Sequence, residues 1–207
     1  MDEVVKLVRS RASEDQRDAL ADFVQRYFGQ VDPEELAERQ VADLYGAAVS
    51  HWSFARKREL GRARVRVFNP TIAEHGWQST HTVIEIVNDD MPFLVDSVTM
   101  EVNRHGLTLH LIIHPLMAVS RDGDGTLQGL AADGVRESFI HVEVDRIPEP
   151  ARLDALAADV SRVLDDVRAA HVGRQRVQPG RLGNAIHLDM DEGFPHAIGR
   201  QPLQRAV

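Results

Sequence analysis

The sequence predicts an α+β fold: an antiparallel sheet of split βαβ plan with a helical layer contributed by the N-terminal part. Three observations predict it. The β-branched run Thr82-Val83-Ile84-Glu85-Ile86-Val87 gives way to apolar residues at helical spacing, Phe93, Leu94, Val98 and Val102, the change of period that marks a strand passing into a helix. Residues 107–114 and 137–147 alternate in the manner of half-buried strands. An amphipathic stretch then starts after Pro148-Glu149-Pro150 and carries Leu153, Leu156, Val160, Val163, Leu164 and Val167. From Thr82 the order is strand, helix, strand, strand, helix, which fits a ferredoxin-like sheet covered by helices.

The N-terminal elements come first in the chain. Residues 1–12 carry few constraints and are expected to fray. Ser13 with Gln16 three positions on has the form of a capping box. Leu20, Phe23, Val24, Tyr27 and Phe28 mark one helical face, closed by Gly29. Asp32-Pro33-Glu34-Glu35 starts another helix with a cap, a proline at the first helical position and an acidic first turn. Its pattern continues through Leu36, Val41, Leu44, Tyr45, Ala48 and Trp52 to about Arg58, with a break near Gln40. These helices form a separate small unit or a lid on the sheet; their apolar faces need a partner, which favours the lid.

Arg56, Lys57, Arg58, Arg62, Arg64 and Arg66 are the one basic concentration. An anion or nucleic-acid site is the functional reading, and a solvated helix end is the preferred one. Arg64-Val65-Arg66-Val67-Phe68 alternates as a strand, and 69–79 reads as a loop. In the helix after Val87, Pro92 suits the first turn and Gly106 the stop. In 107–114, Leu107, Leu109, Leu111 and Ile113 share one face, and the strand is expected to continue past Pro115 with a bulge or edge there. Arg121-Asp122-Gly123-Asp124-Gly125 is a turn. Ile140, Val142 and Val144 oppose Phe139, His141 and Glu143 on the returning strand.

Composition sets bounds. The 207 residues suffice for one core with an appendage, and 43% apolar and 27% charged residues are ordinary for a globular domain. A net charge of −8 speaks against a nucleic-acid footprint. Without cysteine there is no disulfide, thiolate nucleophile or cysteine-based metal site. No apolar run is long enough to span a membrane and no signal-peptide core is present, so a cytoplasmic protein is expected. Dinucleotide, phosphate-loop and serine-elbow motifs are missing, so neither catalytic nor cofactor-binding residues are assigned.

Asn88-Asp89-Asp90-Met91-Pro92-Phe93-Leu94-Val95-Asp96-Ser97-Val98 resembles the signature of the N-terminal region of the large bacterial NAD-specific glutamate dehydrogenases. Companion pieces are Asp43-Leu44-Tyr45-Gly46-Ala47-Ala48, His51-Trp52, Arg64 to Pro70 and His110-Leu111-Ile112-Ile113-His114-Pro115. The resemblance covers roughly residues 15 to 170. It implies an ACT-like domain, a regulatory βαββαβ module whose dehydrogenase site lies far downstream. It also implies a parent that converts L-glutamate and NAD to 2-oxoglutarate and ammonia. Partners would be the downstream domains or other subunits, and a small amino acid as effector. A free-standing amino-acid sensor is the alternative.

Three segments follow: 1–60 helical, 61–172 ACT-like, and 173–207 a disordered or non-native tail unlike the family's continuation. The module's usual last strand is expected after a helix ending near His171, but no convincing strand is seen there. Arg64–Phe68 fills the fourth place instead, with Ala185-Ile186-His187-Leu188 as a competing edge strand.

Two sites are candidates. Asn88, Asp89, Asp90 and Met91 lie at the strand-to-helix turn, where an ACT module holds its effector; two aspartates would favour an ammonium group, or they simply cap the helix. His110, His114, His141 and Glu143 share one sheet face if their strands pair, a set suited to a divalent transition metal. Otherwise they line a polar sheet surface or an interdomain contact.

Overall fold

The computed structural model describes residues 1–176. The chain opens with helices α1 (Asp2–Arg11), α2 (Arg17–Tyr27), α3 (Pro33–Ala37) and α4 (Val41–Ala55). Strand β1 (Arg64–Phe68), the short helix α5 (Ile72–His75), strand β2 (Thr82–Asp89) and helix α6 (Leu94–Arg104) follow. Four strands come next, β3 (Leu109–Ile113), β4 (Leu116–Arg121), β5 (Leu127–Leu130) and β6 (Val135–Val144), and then helix α7 (Pro150–Arg176).

One antiparallel sheet joins all six strands. β2 pairs with β1 on one side and with β6 on the other. β3 and β4 lie end to end along the far edge of β6, and β5 pairs with β4. The break between β3 and β4 falls at His114-Pro115, because proline has no N–H for the ladder. The Pro115 carbonyl still accepts from the Phe139 N–H at 3.1 Å, which carries the pairing across the break. β1 fills the fourth place of the split plan, as the alternation of 64–68 suggests.

Both sheet faces are covered, which explains why β2 reads as a nearly continuous apolar run. Ile84, Ile86, Ile140 and Val142 pack against Leu94, Val98 and Val102 of α6 and against Leu156 and Val160 of α7. On the opposite face, Val87, Phe139, Leu111 and Met117 share a core with Phe23, Tyr27 and Trp52 of the helical layer. The N-terminal helices are therefore a lid on the sheet.

Several expectations are corrected. Residues 2–11 form α1, because Val4, Val5 and Val8 are buried against α2 and α4. Ser13 makes no capping box: its carbonyl accepts from the Gln16 N–H in a turn, and α2 starts one residue later with no side-chain cap. Asp32 does cap α3, accepting from the Glu34 N–H at 2.9 Å. Helix α5 interrupts the expected 69–79 loop, capped by Thr71 and stopped by Gly76 at φ +75°. The expected face-sharing in 107–113 fails at a bulge between Leu109 and Leu111. Leu107 and Leu109 side with α6 and α7, whereas Leu111 and Ile113 turn to the helical layer. One extra residue reverses every later side chain. Helix α7 runs to Arg176, beyond the expected stop near His171; the remainder of the expected tail, with its candidate strand 185–188, lies outside the described residues.

Candidate functional site

The lid-facing side of the sheet is not purely apolar. Glu85 of β2 stands opposite His141 of β6 in the ladder, and Glu143 follows two residues later on the same face. Helix α4 lays His51 over them. All four are at most 2% exposed, and burying such groups is costly unless each finds a partner.

The partners come from the lid and from β1. Arg66 brings its Nε to 2.8 Å from one Glu85 oxygen and also donates to the Ser50 carbonyl at 3.1 Å. Burial pushes the Glu85 carboxyl up, against the pull of Arg66 and His141. The Nε2 of His51 lies 3.2 Å from the Ile86 carbonyl and its Nδ1 lies 3.0 Å from the Tyr27 hydroxyl. A carbonyl can only accept, so Nε2 carries the proton and Nδ1 accepts from Tyr27. Burial, helped by the nearby His141, drives the His51 pKa well below its ordinary value, so the ring is neutral.

Glu143 is held from the other side. Arg39, between α3 and α4, grips it with two bonds of 2.7 and 2.9 Å. His81 Nδ1 lies 3.2 Å away and His141 Nε2 lies 3.6 Å away. Burial raises the Glu143 carboxyl, but His141 and the guanidinium outweigh it and hold the pKa at about 2. A guanidinium fork on a carboxylate is a strong, oriented pair.

This pair closes one end of a cleft of about 580 Å³ between lid and sheet, lined among others by Asp43, Trp77, Ser79, His81, His110 and His141. Trp77 reaches it because Gly46 leaves room: a Cβ there would come within 2.1 Å of the Trp77 Cβ. Clefts of this size hold small-molecule ligands.

The structure divides the histidine candidates. His110, His141 and Glu143 line the cleft, but His114 does not. His110 is bound to Asp145 at 2.8 Å and stacks on His81 at 4.3 Å between ring centroids. His114 sits past the bulge, where burial lowers its pKa and its Nε2 has no hydrogen-bond partner among the described residues. The four therefore do not converge on one ion. Among the described residues, His51, Glu85 and His141 do bring their ligand atoms within 4.8 Å of one another.

The acidic turn is also not as expected. β2 extends to Asp89, so neither aspartate caps α6, whose N-cap is Phe93 at φ +68°. Asp89 is bound by Arg58 at 2.6 Å and by Arg168 at 2.7 Å. Asn88 is buried and accepts from Arg168. Asp90 pairs with the more exposed Arg136 at 3.3 Å, and Met91 enters the core beside α6. Both oxygens of Asp89 already face guanidiniums. Arg58, expected at a solvated helix end, is instead one of the most deeply buried side chains.

Arg39, His51, Tyr27, His81 and Glu85 escaped the sequence reading. Glu85, a lone charge inside a β-branched run, was the visible signal. The others become neighbours only when the lid folds onto the sheet.

Residues 23–160 match the family model described as glutamate dehydrogenase, ACT1 domain. The chain is 43% identical over 169 residues to an NAD-specific glutamate dehydrogenase of Halomonas elongata, covering 79% of this chain and 10% of that protein. It is 36% identical over 152 residues to an NAD-specific glutamate dehydrogenase of Pseudomonas aeruginosa, covering 70% of this chain and 9% of that protein. The chain thus spans about a tenth of the length of these relatives.

Proposed function

The chain belongs to the glutamate dehydrogenase ACT1 domain family, and from that premise we propose that it is the non-catalytic N-terminal regulatory and assembly region of a large NAD-dependent glutamate dehydrogenase. The parent converts L-glutamate and NAD to 2-oxoglutarate and ammonia, so NAD is the cofactor of the parent's downstream catalytic region. The region works in the cytoplasm with those downstream domains and other subunits as partners. Among its described residues, no helix is long and apolar enough to cross a membrane.

The regulatory ligand in this reading is a small amino acid held in the cleft between lid and sheet. The observation that carries it is the Arg39–Glu143 pair at the cleft wall. A zwitterion that opens the pair matches it group for group: its carboxylate takes the guanidinium fork, and its ammonium takes the Glu143 carboxylate. His81 and the Ser79-Thr80 segment complete a polar wall. The cleft is favoured over the turn at Asn88 to Met91 because it encloses a space of about 580 Å³ walled by groups of both signs.

A bound amino acid would bridge α3, α4 and β6, and so fix the lid on the sheet. A ligand shifts an equilibrium only by its differential affinity for the two states. Lid seating is the state such a ligand would favour. Calorimetry of the full chain with a panel of amino acids tests this reading. Saturable heat that disappears in Arg39→Gln supports it, and no heat across the panel overturns the effector role.

A further inference from the structure

Beneath the cleft, Nδ1 of His141 and Oε1 of Glu85 are buried without a hydrogen-bond partner among the described residues. Both belong to side chains at most 1% exposed. Unpaired atoms of this kind are rare in folded proteins and call for an explanation. The surrounding groups are already committed outward. The second Glu85 oxygen is held by Arg66, His51 Nε2 by the Ile86 carbonyl, and His141 Nε2 faces the Glu143 carboxylate. What remains free is a nitrogen of His141 and an oxygen of Glu85, beside the His51 Nδ1 that an ion would take over from the Tyr27 hydroxyl.

We propose that His51, His141 and Glu85 form a binding site for a divalent transition-metal cation of the zinc class. Two imidazoles and a carboxylate are a donor set that such ions take, with a further position for another ligand. One ligand atom from each of the three residues lies within 4.8 Å of the other two. Tetrahedral zinc, with bonds of about 2.0–2.1 Å, wants them about 3.4 Å apart. The ligands must therefore close by about 1 Å or less each. Metal-bound histidines normally give their other ring N–H to a backbone carbonyl or a carboxylate. The Ile86 carbonyl and Glu143 stand where those acceptors are needed.

Tyr27 supplies a phenol oxygen beside His51 as a candidate fourth ligand. His141 also lines the cleft, the side from which an ion would enter. Arg66, bound to the other oxygen of Glu85, and Arg39, bound to both oxygens of Glu143, limit the affinity, so a titration into the micromolar range is the fitting probe.

The test is to strip the full chain with a chelator and titrate it with Co(II). The site predicts one equivalent bound, with the intense visible bands of four- or five-coordinate cobalt, displaced by Zn(II). It also predicts two exchangeable, hyperfine-shifted imidazole N–H signals, one from each histidine. Glu85→Gln and His141→Gln, checked for fold by circular dichroism, should weaken binding at least tenfold. His105→Gln, which disrupts the separate Glu101–His105–Asp159 cluster, should not, nor should His187→Gln with His196→Gln. Absence of the bands overturns the proposal. So do bands that survive in folded Glu85→Gln and His141→Gln, or that vanish in either control. If those two variants fail to fold, the N–H count in the unaltered chain decides, and fewer than two signals overturns the site.

Discussion

Arg58 and Glu137 meet at 2.6 Å with side chains 1% and 0% exposed, so a residue just past α4 is locked to the middle strand of the sheet by a fully buried ion pair. Arg58 also holds Asp89, and Arg121 holds Glu137 through both of its oxygens. Arg58→Met would leave Asp89 with Arg168 and Glu137 with Arg121. The loss is then smaller than for a wholly orphaned charge, about 2–3 kcal/mol. Chemical denaturation measures it, and a change below about 0.5 kcal/mol would show that the pair contributes nothing.

The two aspartates of the 89–90 turn should separate in the same assay. Asp89→Asn removes a charge bound by two guanidiniums and should cost about 1–2 kcal/mol. Asp90→Asn loosens only a partly exposed pair and should cost no more than about 0.5 kcal/mol. Equal costs would mean that the two guanidiniums add nothing at Asp89.

Glycines 46 and 106 test two different mechanisms. Gly106 sits at φ +68° with open space where a Cβ would go, so Gly106→Ala pays only backbone strain, about 1 kcal/mol. Gly46→Ala would drive a Cβ into Trp77 and should cost about 3 kcal/mol. Measured unfolding free energies in the reverse order would refute the packing of Trp77 on α4.

Much of this architecture is legible in the sequence. The period change after Val87, the alternation of 64–68 and 139–144 and the glycine stop at Gly106 are local signals, and they read correctly. What was missed depends on long-range pairing. The bulge beside His110 reverses a face that simple alternation would keep, and it follows from the match of β3 to β6. The role of Asp89 changed because ladder pairing with Glu137 outcompeted a helix cap. The charged wall of the cleft joins Arg39 to Glu143 across more than a hundred residues, a distance at which no periodicity speaks.

Glu143 predicts a pH dependence. Its folded pKa of about 2 lies below its ordinary value of 4.5. A carboxylate depressed in the folded state adds stability that is complete above its unfolded pKa and is lost as pH falls through the folded one. Its share should therefore fade between about pH 4.5 and about pH 2. Glu143→Gln should flatten the stability profile across that window, as followed by denaturation at successive pH values. An unchanged slope would mean that Arg39 does not stabilise the ionised carboxylate.

The most direct test of the regulatory reading is glutamate-dependent NADH formation, measured on the isolated chain and on a full-length enzyme carrying this region with and without Arg39→Gln. The isolated chain should form no NADH. The Arg39→Gln enzyme should keep its basal rate but lose at least tenfold in sensitivity to the amino acid that the cleft binds. NADH formation by the isolated chain, or loss of the basal rate with an unchanged amino-acid response, would contradict a non-catalytic regulatory region.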